Sequence, residues 1–263
     1  MRSDPRLTGL ALEIARCPVI ASVLAGQTSP CREVVKYQTR PAGMRWPAEP
    51  WSGDLHLAPI LFVSSNPSSG DPDESPAPGD LTESSSDEEI LHTFLDAFRE
   101  GPWIGISEGV RQRAADGAIG KHVQYWASCK ARATELLGYP AKPGIDYAMT
   151  EVVHCGSQRE IGVRSAAIEC VPRYLQRVIA LSPAVAVVVV GAVARDVIRT
   201  MVPQAAGTFP YCGPLEWAGR SRHILFVPAP NARRVPKGIA ANLGADALTV
   251  IDSIREALAR PDS

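Results

Sequence analysis

Residues 60–70 read Ile60-Leu61-Phe62-Val63-Ser64-Ser65-Asn66-Pro67-Ser68-Ser69-Gly70. An apolar run that breaks into polar, turn-forming residues is the pattern of a strand buried on both faces and ending abruptly at its carboxyl end. Three further segments, 148–153, 185–190 and 224–228, share this β-branched, nearly continuous apolar character. Helical patterns lie between and after them, at 87–99, 122–137, 171–181, 192–201 and 245–259. Pro172 suits a first helical turn, after which Leu175, Val178 and Ile179 fall on one face. This alternation predicts an α/β fold: a three-layer α/β/α sandwich around a central four-stranded parallel sheet.

Residues 58–263 are expected to form that domain, with 1–57 as a helical or irregular segment packed on its core. Residues 36–57, carrying Trp46 and Trp51 among Pro41, Pro47 and Pro50, read as an irregular, partly packed connection. The stretch 71–89 holds eight carboxylates, three prolines and four serines without one Lys or Arg, and predicts a mobile acidic loop. With 263 residues, 45% of them hydrophobic, the chain can bury a real core. A net charge of −1 gives no bulk attraction to a polyanion, so any nucleic-acid surface must be a local patch. The N-terminus mixes charged and apolar residues without a signal-peptide pattern, and the longest apolar run, 184–190, is too short to span a bilayer. A cytoplasmic protein with no membrane partner is expected, in which six cysteines serve as buried thiols or metal ligands rather than disulfides.

In open parallel sheets ligands bind beyond the carboxyl ends of the strands, which makes 64–70 a site candidate. Taken alone, Asn-Pro-Ser-Ser-Gly is also ordinary turn chemistry. The fourth strand ends similarly, in Pro228-Ala229-Pro230-Asn231-Ala232-Arg233-Arg234-Val235-Pro236-Lys237. Two prolines stiffen the exit and three cations crowd the next positions, which suits a loop pressed against phosphates and equally suits a solvated basic loop.

Together the two segments resemble the motifs that flank the active site of the uracil-DNA glycosylase superfamily. The resemblance extends through Thr150-Glu151-Val152-Val153-His154-Cys155 and Cys170-Val171-Pro172-Arg173-Tyr174-Leu175, and spans roughly 58–235 in order. It is greatest to the iron–sulfur-containing bacterial branches. What it implies is a monofunctional DNA glycosylase, a monomer acting on DNA, that hydrolyses the bond between base and sugar without a lysine Schiff base. In this reading Asn66 is catalytic and positions the attacking water, since an amide orients water but is a poor proton acceptor. Ser65, Pro67, Glu151 and Asn231 would contact the base. Ser68, Ser69, Pro230, Arg233, Arg234 and Lys237 would contact DNA, with Arg234 or Val235 as wedge. Cys17, Cys31, Cys155 and Cys170 would hold a structural [4Fe–4S] cluster, although 13 residues separate the first pair where the family uses a tighter spacing. Buried thiols are the plainer reading of the same cysteines.

Two positions depart from the family. Many members carry a histidine before the proline of the second motif, where this chain has Ala229. The donor that offsets charge on the departing base is then missing. Where the iron–sulfur branches carry an asparagine that reads uracil, this chain has Glu151. An ionised carboxylate only accepts hydrogen bonds and would face the uracil carbonyls unfavourably, whereas it suits an exocyclic amino group, and a protonated one donates to a ring nitrogen. The target is therefore either a uracil-like base or a modified cytosine such as those of phage DNA, the latter implying an antiviral role. Pairing of Glu151 with Arg159 or Arg164 is the structural alternative. A catalytically silent DNA-binding protein and a nucleotide- or nucleoside-processing hydrolase are the competing functions. Trp103, Trp126 and Phe98 are candidates for base stacking, His154 for a structural or assisting role, and Cys129 for the core.

Overall fold

The computed structural model describes residues 4–38, 47–67, 81–82 and 84–259. In chain order the helices are α1 (Pro5–Ala15), α2 (Pro18–Leu24), α3 (Arg32–Val35), α4 (Asp87–Leu95), α5 (Gln124–Leu137), α6 (Val163–Cys170), α7 (Gln176–Leu181), α8 (Ala192–Met201), α9 (Ile239–Leu243) and α10 (Ala247–Ala259). The strands are β1 (Ile60–Ser64), β2 (Gly105–Ser107), β3 (Arg111–Arg113), β4 (Ile119–His122), β5 (Tyr147–Glu151), β6 (Ala186–Val190), β7 (Tyr211–Trp217) and β8 (Arg220–Val227).

The architecture is α/β, with a five-stranded sheet in the order β5-β1-β6-β8-β7. The first four of these run parallel and β7 pairs antiparallel to β8. Because side chains alternate across a strand, each apolar strand serves two cores. Leu61, Val63, Ala148, Val187 and Val189 face one side, against α1, α2, α3, α6, α7 and α8. Ile60, Phe62, Met149, Val188 and Leu225 face the other, against α5, α9 and α10. The expected count of four strands is corrected to five. β7 escaped the sequence reading because Gly213-Pro214 interrupts its pattern and shifts the register between Cys212 and Leu215. A separate antiparallel sheet, β2-β3-β4, was also missed, since its strands are three or four polar residues long.

Other boundaries move for local reasons. His122 ends β4 instead of opening a helix. Pro172 lies inside a continuous helical run from Val163 to Leu181, not in a first turn. Lacking an N–H and crowding the carbonyl four residues back, it widens the helix into a π turn over Val171–Leu175. Leu175, Val178 and Ile179 are buried on one face. Of the acidic stretch, 71–80 and 83 lie outside the described residues. Its last part is ordered: Ser86 and Glu89 form a capping box that starts α4, where Asp87, Glu88 and Glu89 meet the positive end of the helix.

In the N-terminal segment, Pro5–Leu24 is apolar and long enough to match a membrane span by composition, yet it is broken at Arg16-Cys17. Leu7, Leu10, Ile14 and Ile20 from this stretch are buried in the first core. In the 47–57 connection Trp51 and Leu55 are also buried there.

Candidate active site at the carboxyl end of the sheet

The chain leaves β1 for β5 on one side and then crosses to β6 on the other. The crevice between β1 and β6 is therefore the switch point of the sheet, where α/β proteins place ligands. The loops after all four parallel strands emerge at this end. Val152 and Val153 donate backbone N–H groups to the carbonyls of Ser64 and Ser65 (2.8 and 3.0 Å), and Gly191 donates to that of Val227 (2.9 Å). Gly191 has φ +91°, and a Cβ there would meet that of Ala229 at 3.8 Å, so Ala229 sits over the end of β6.

Asn66 is half-buried beyond β1, between buried Ser65 and Pro67. Its Nδ2 donates to the carbonyl of Pro67 (2.7 Å) and to Oγ of Ser157 (3.1 Å). A carbonyl only accepts, which identifies the atom beside Pro67 as the nitrogen and leaves Oδ1 as the acceptor for an incoming donor. Ser157 is itself buried and donates its backbone N–H to the same Pro67 carbonyl (3.2 Å). Sequence reasoning missed Ser157, which lies in a loop without a motif. Ser68 and Ser69 lie outside the described residues.

Glu151 is the register partner of Ser64. Both follow Phe62 and Met149 on the α5 side of the sheet, which sets the Ser64 hydroxyl beside the Glu151 carboxyl. Burial, and then the neighbouring carboxyl of Glu49, push the Glu151 pKa well above the carboxylate range. The arginine pairing has no support among the described contacts, since Arg164 bonds Asp196 at 2.8 Å. A neutral carboxyl presents one donor and one acceptor, the same pair as an amide, so the objection to uracil that rests on an ionised Glu151 loses its force. Glu49 is a second residue the sequence did not reveal. It arrives from the proline-rich connection, anchored by its N–H to the His154 carbonyl (2.8 Å) and by its own carbonyl to Nδ1 of His154 (2.7 Å). His154 is thereby structural, a buried neutral ring whose pKa falls to about 4 through desolvation. Tyr125, at the start of α5, places a buried hydroxyl near Ser64, Cys129 and Glu151, without a hydrogen bond of standard geometry.

The second loop is held by α5. Arg132, almost wholly buried, donates to the carbonyls of Lys237 (3.0 Å) and Pro228 (2.8 Å). One turn on, Glu135 accepts from the backbone of Ile239 (2.7 Å) and Ala240 (2.6 Å). This pair clamps both ends of 228–238 and borders a cleft of about 290 Å³ lined also by Gln124, Ser128, Pro230 and Lys237. Asn66 and Glu151 do not line that cleft. Asn231, Arg233, Arg234 and Val235 are exposed, with Arg234 in the left-handed region at φ +57°, and Pro230 is half-buried. Lys237 turns its ammonium back onto the carbonyls of Ala229 and Ala232. Gln124 donates to the Pro230 carbonyl (3.3 Å).

Of the stacking candidates, Trp103 stacks on His92 (4.3 Å between ring centres) and Phe98 packs edge-on to Tyr147 (5.8 Å). Trp126 is half-buried against the second core, and Cys129 is buried within it. Cys212 lies on β7.

On the opposite face of the sheet, Cys17, Cys31, Cys155 and Cys170 are buried in one core and unbridged. They come from the caps of α2 and α3, the loop after β5 and the end of α6. The Cys155 thiol is driven upward by burial and then by Cys170, Cys17 and Cys31. Burial likewise raises Cys170, to about 12, against a backbone N–H of His154 that favours its thiolate; Ser29 does the same for Cys31. The four sulfurs are thus neighbours, although among the described residues no group of three or more His, Cys, Asp or Glu side chains stands in metal-ligating geometry. No family model matches the chain, and no curated protein is significantly similar to it.

Proposed function

We propose that the protein is a monofunctional DNA glycosylase that releases an aberrant or modified pyrimidine, uracil-like or a modified cytosine, and leaves an abasic site. The observation that carries this reading is that Asn66, Glu151 and the 228–238 loop all lie at or just after the carboxyl ends of the four parallel strands of one sheet. Asn66, locked by Pro67 and Ser157, offers Oδ1 to a water and aligns it for attack on the anomeric carbon. Glu151 offers a donor and an acceptor to a base turned out of the duplex. Arg233 and Arg234, both exposed, would meet phosphates, and exposed Val235 would fill the vacated space.

The test is to incubate the protein with duplexes containing uracil, hypoxanthine, mismatched thymine or modified cytosines and to assay abasic sites by alkaline cleavage. Release of a pyrimidine is expected; no release from any duplex would remove the reading. Arg234→Ala is expected to weaken DNA binding several-fold and to lower the salt slope by about one. Unchanged affinity across a salt titration would take the loop out of the interface. Ala229 favours a second reading, a DNA-binding protein without turnover, which predicts binding and no abasic product.

A [4Fe–4S] cluster fits the donor chemistry of Cys17, Cys31, Cys155 and Cys170, with Ser29 and the His154 N–H close enough to favour the thiolates of Cys31 and Cys170. Such a cluster would tie the N-terminal helices to β5 and α6 and takes no part in bond cleavage. Anaerobically purified protein is expected to contain iron and sulfide and to be brown, and Cys155→Ala to lose both. Colourless parent protein without iron would return these cysteines to the role of core thiols.

A further inference from the structure

We propose that the β3–β4 hairpin is a second DNA-contacting surface, whose Arg111 and Lys121 bear on the phosphate backbone of the duplex that the 228–238 loop engages, an inference that rests on the DNA-binding part of the reading above.

Charge is shared unevenly along the chain. Residues 109–134 and 228–245 hold eight of the 27 Lys and Arg but a single one of the 28 Asp and Glu, Asp116. The rest of the chain is correspondingly acidic, so the net charge of −1 conceals a local surplus of cations. The fold joins these two stretches. Arg132 holds the carbonyls of Pro228 and Lys237, and the cleft beside α5 is lined from both stretches.

Half of the eight cations are spent inside the protein. Arg113 and Arg132 are buried, and Lys130 and Lys237 turn their ammonium groups onto backbone carbonyls. Arg233 and Arg234 on the loop and Arg111 and Lys121 on the hairpin remain, all exposed. Among the described residues neither the Arg111 nor the Lys121 side chain has a hydrogen-bond or ion-pair partner. Glu108, in the turn before β3, forms no ion pair with Arg111, and Asp116, in the turn before β4, accepts the Ala118 N–H (2.9 Å). Arg111 is the register partner of exposed His122, and Gly120 and Lys121 together face Gln112, a bulge of the kind that re-aims side chains.

The hairpin is held ready for such a contact. The Val123 N–H bonds the Val110 carbonyl (2.8 Å) at its base and the Ala114 N–H that of Ala118 (2.9 Å) at its tip. Arg113 anchors β3 on the Arg99 carbonyl, and Lys130 ties the Glu108 carbonyl to α5 (2.7 Å). Donors fixed in this way lose little freedom on binding. The tip consists of small residues, Ala114, Ala115, Gly117 and Ala118, beside Asp116, which lets a sugar–phosphate chain come near. Lys121 and His122 precede Gln124 by three and two residues, so their Cα atoms lie within about 11 Å of its own. Gln124 in turn touches Pro230. Each strand of a duplex carries a phosphate about every 3.4 Å of axis, so a few base pairs cover that separation.

The test is DNA affinity by fluorescence anisotropy across a salt titration. Arg111→Ala combined with Lys121→Ala is expected to lower the slope of log affinity against log salt by about two, and the affinity about tenfold at 0.1 M salt. The loss should be equal for duplexes with and without an aberrant base, because phosphates carry no sequence. A matched pair, Arg32→Ala with Lys36→Ala, removes the same charge from exposed positions at α3 on the opposite side of the sheet and should leave the slope unchanged. Arg111→Lys with Lys121→Arg keeps both charges and should keep the parental slope, which separates lost contacts from a damaged hairpin. An unchanged slope in the alanine pair, or an equal fall in the matched pair, would overturn the proposal. So would a parent protein that binds RNA more tightly than DNA through the same two residues. A parent that binds duplexes but releases no base would lose the base-excision reading while the slope still decides the hairpin. A parent without affinity for any duplex would defeat both.

Discussion

Replacing Asn66 with alanine is expected to reduce base release by about 10²-fold or more while DNA affinity stays within about twofold. The amide makes its two N–H bonds to Pro67 and Ser157, and neither partner belongs to the 228–238 loop. Its loss leaves 228–238, clamped independently by Arg132 and Glu135, unaltered. In the proposed role, what disappears is the acceptor that would hold water in line, and a misplacement of about 1 Å is enough for such a loss. Asn66→Asp retains an acceptor but repels the Pro67 carbonyl, so its side chain should turn away and recover little activity. Ser157→Ala leaves the amide with one anchor and should cost less than Asn66→Ala. Rates measured under single turnover, with binding followed separately by fluorescence anisotropy, decide the matter. An Asn66→Ala protein with parental rates would end the assignment of water positioning to this residue.

The largest stability effect is expected at Arg222, well away from this chemistry. Its guanidinium is fully buried at the start of β8, with no carboxylate partner among the described residues. It donates instead to the carbonyls of Ile179 (3.0 Å), Ser182 (2.8 Å), Ala184 and Trp217 (3.1 Å). Two of these close the C-terminal end of α7, where a cation also meets the negative end of the helix. Burial lowers the Arg222 pKa to about 10, which still leaves it charged at neutral pH.

Arg222→Met fills similar space but abandons the carbonyls, each costing ~1–3 kcal/mol when left without water or a partner. Ile179 retains a weak bond from the Ser182 N–H (3.3 Å), which softens the loss. We expect about 4 kcal/mol in total, seen as a fall of roughly 10 °C in melting temperature. Arg222→Lys should fall between the two, because a point charge cannot reach all four oxygens as a planar fork does. A drop below ~1 kcal/mol in urea unfolding of Arg222→Met would mean that water or backbone adjustment satisfies those carbonyls.

The sequence alone determined the parallel core of this protein. Ile60–Ser64 and its three apolar counterparts are legible because burial on both faces demands a continuous β-branched run, whatever packs against it. It also determined that Asn66 and 228–237 directly follow strand ends, where open α/β sheets place ligands. Elements defined by their partners were hidden. Arg220-Ser221-Arg222-His223 reads as a polar approach to a strand, yet Arg222 and His223 are buried within it because α7 supplies carbonyls and Tyr211 a hydroxyl. Likewise, Arg132 and Glu135 look like an ordinary charged pair on a helix until 228–240 closes over them. Only the tertiary structure set Glu49 beside Glu151 and Ser157 beside Asn66. These contacts join residues about 100 positions apart, and the energy of a buried carboxyl depends on neighbours in space that no local pattern encodes.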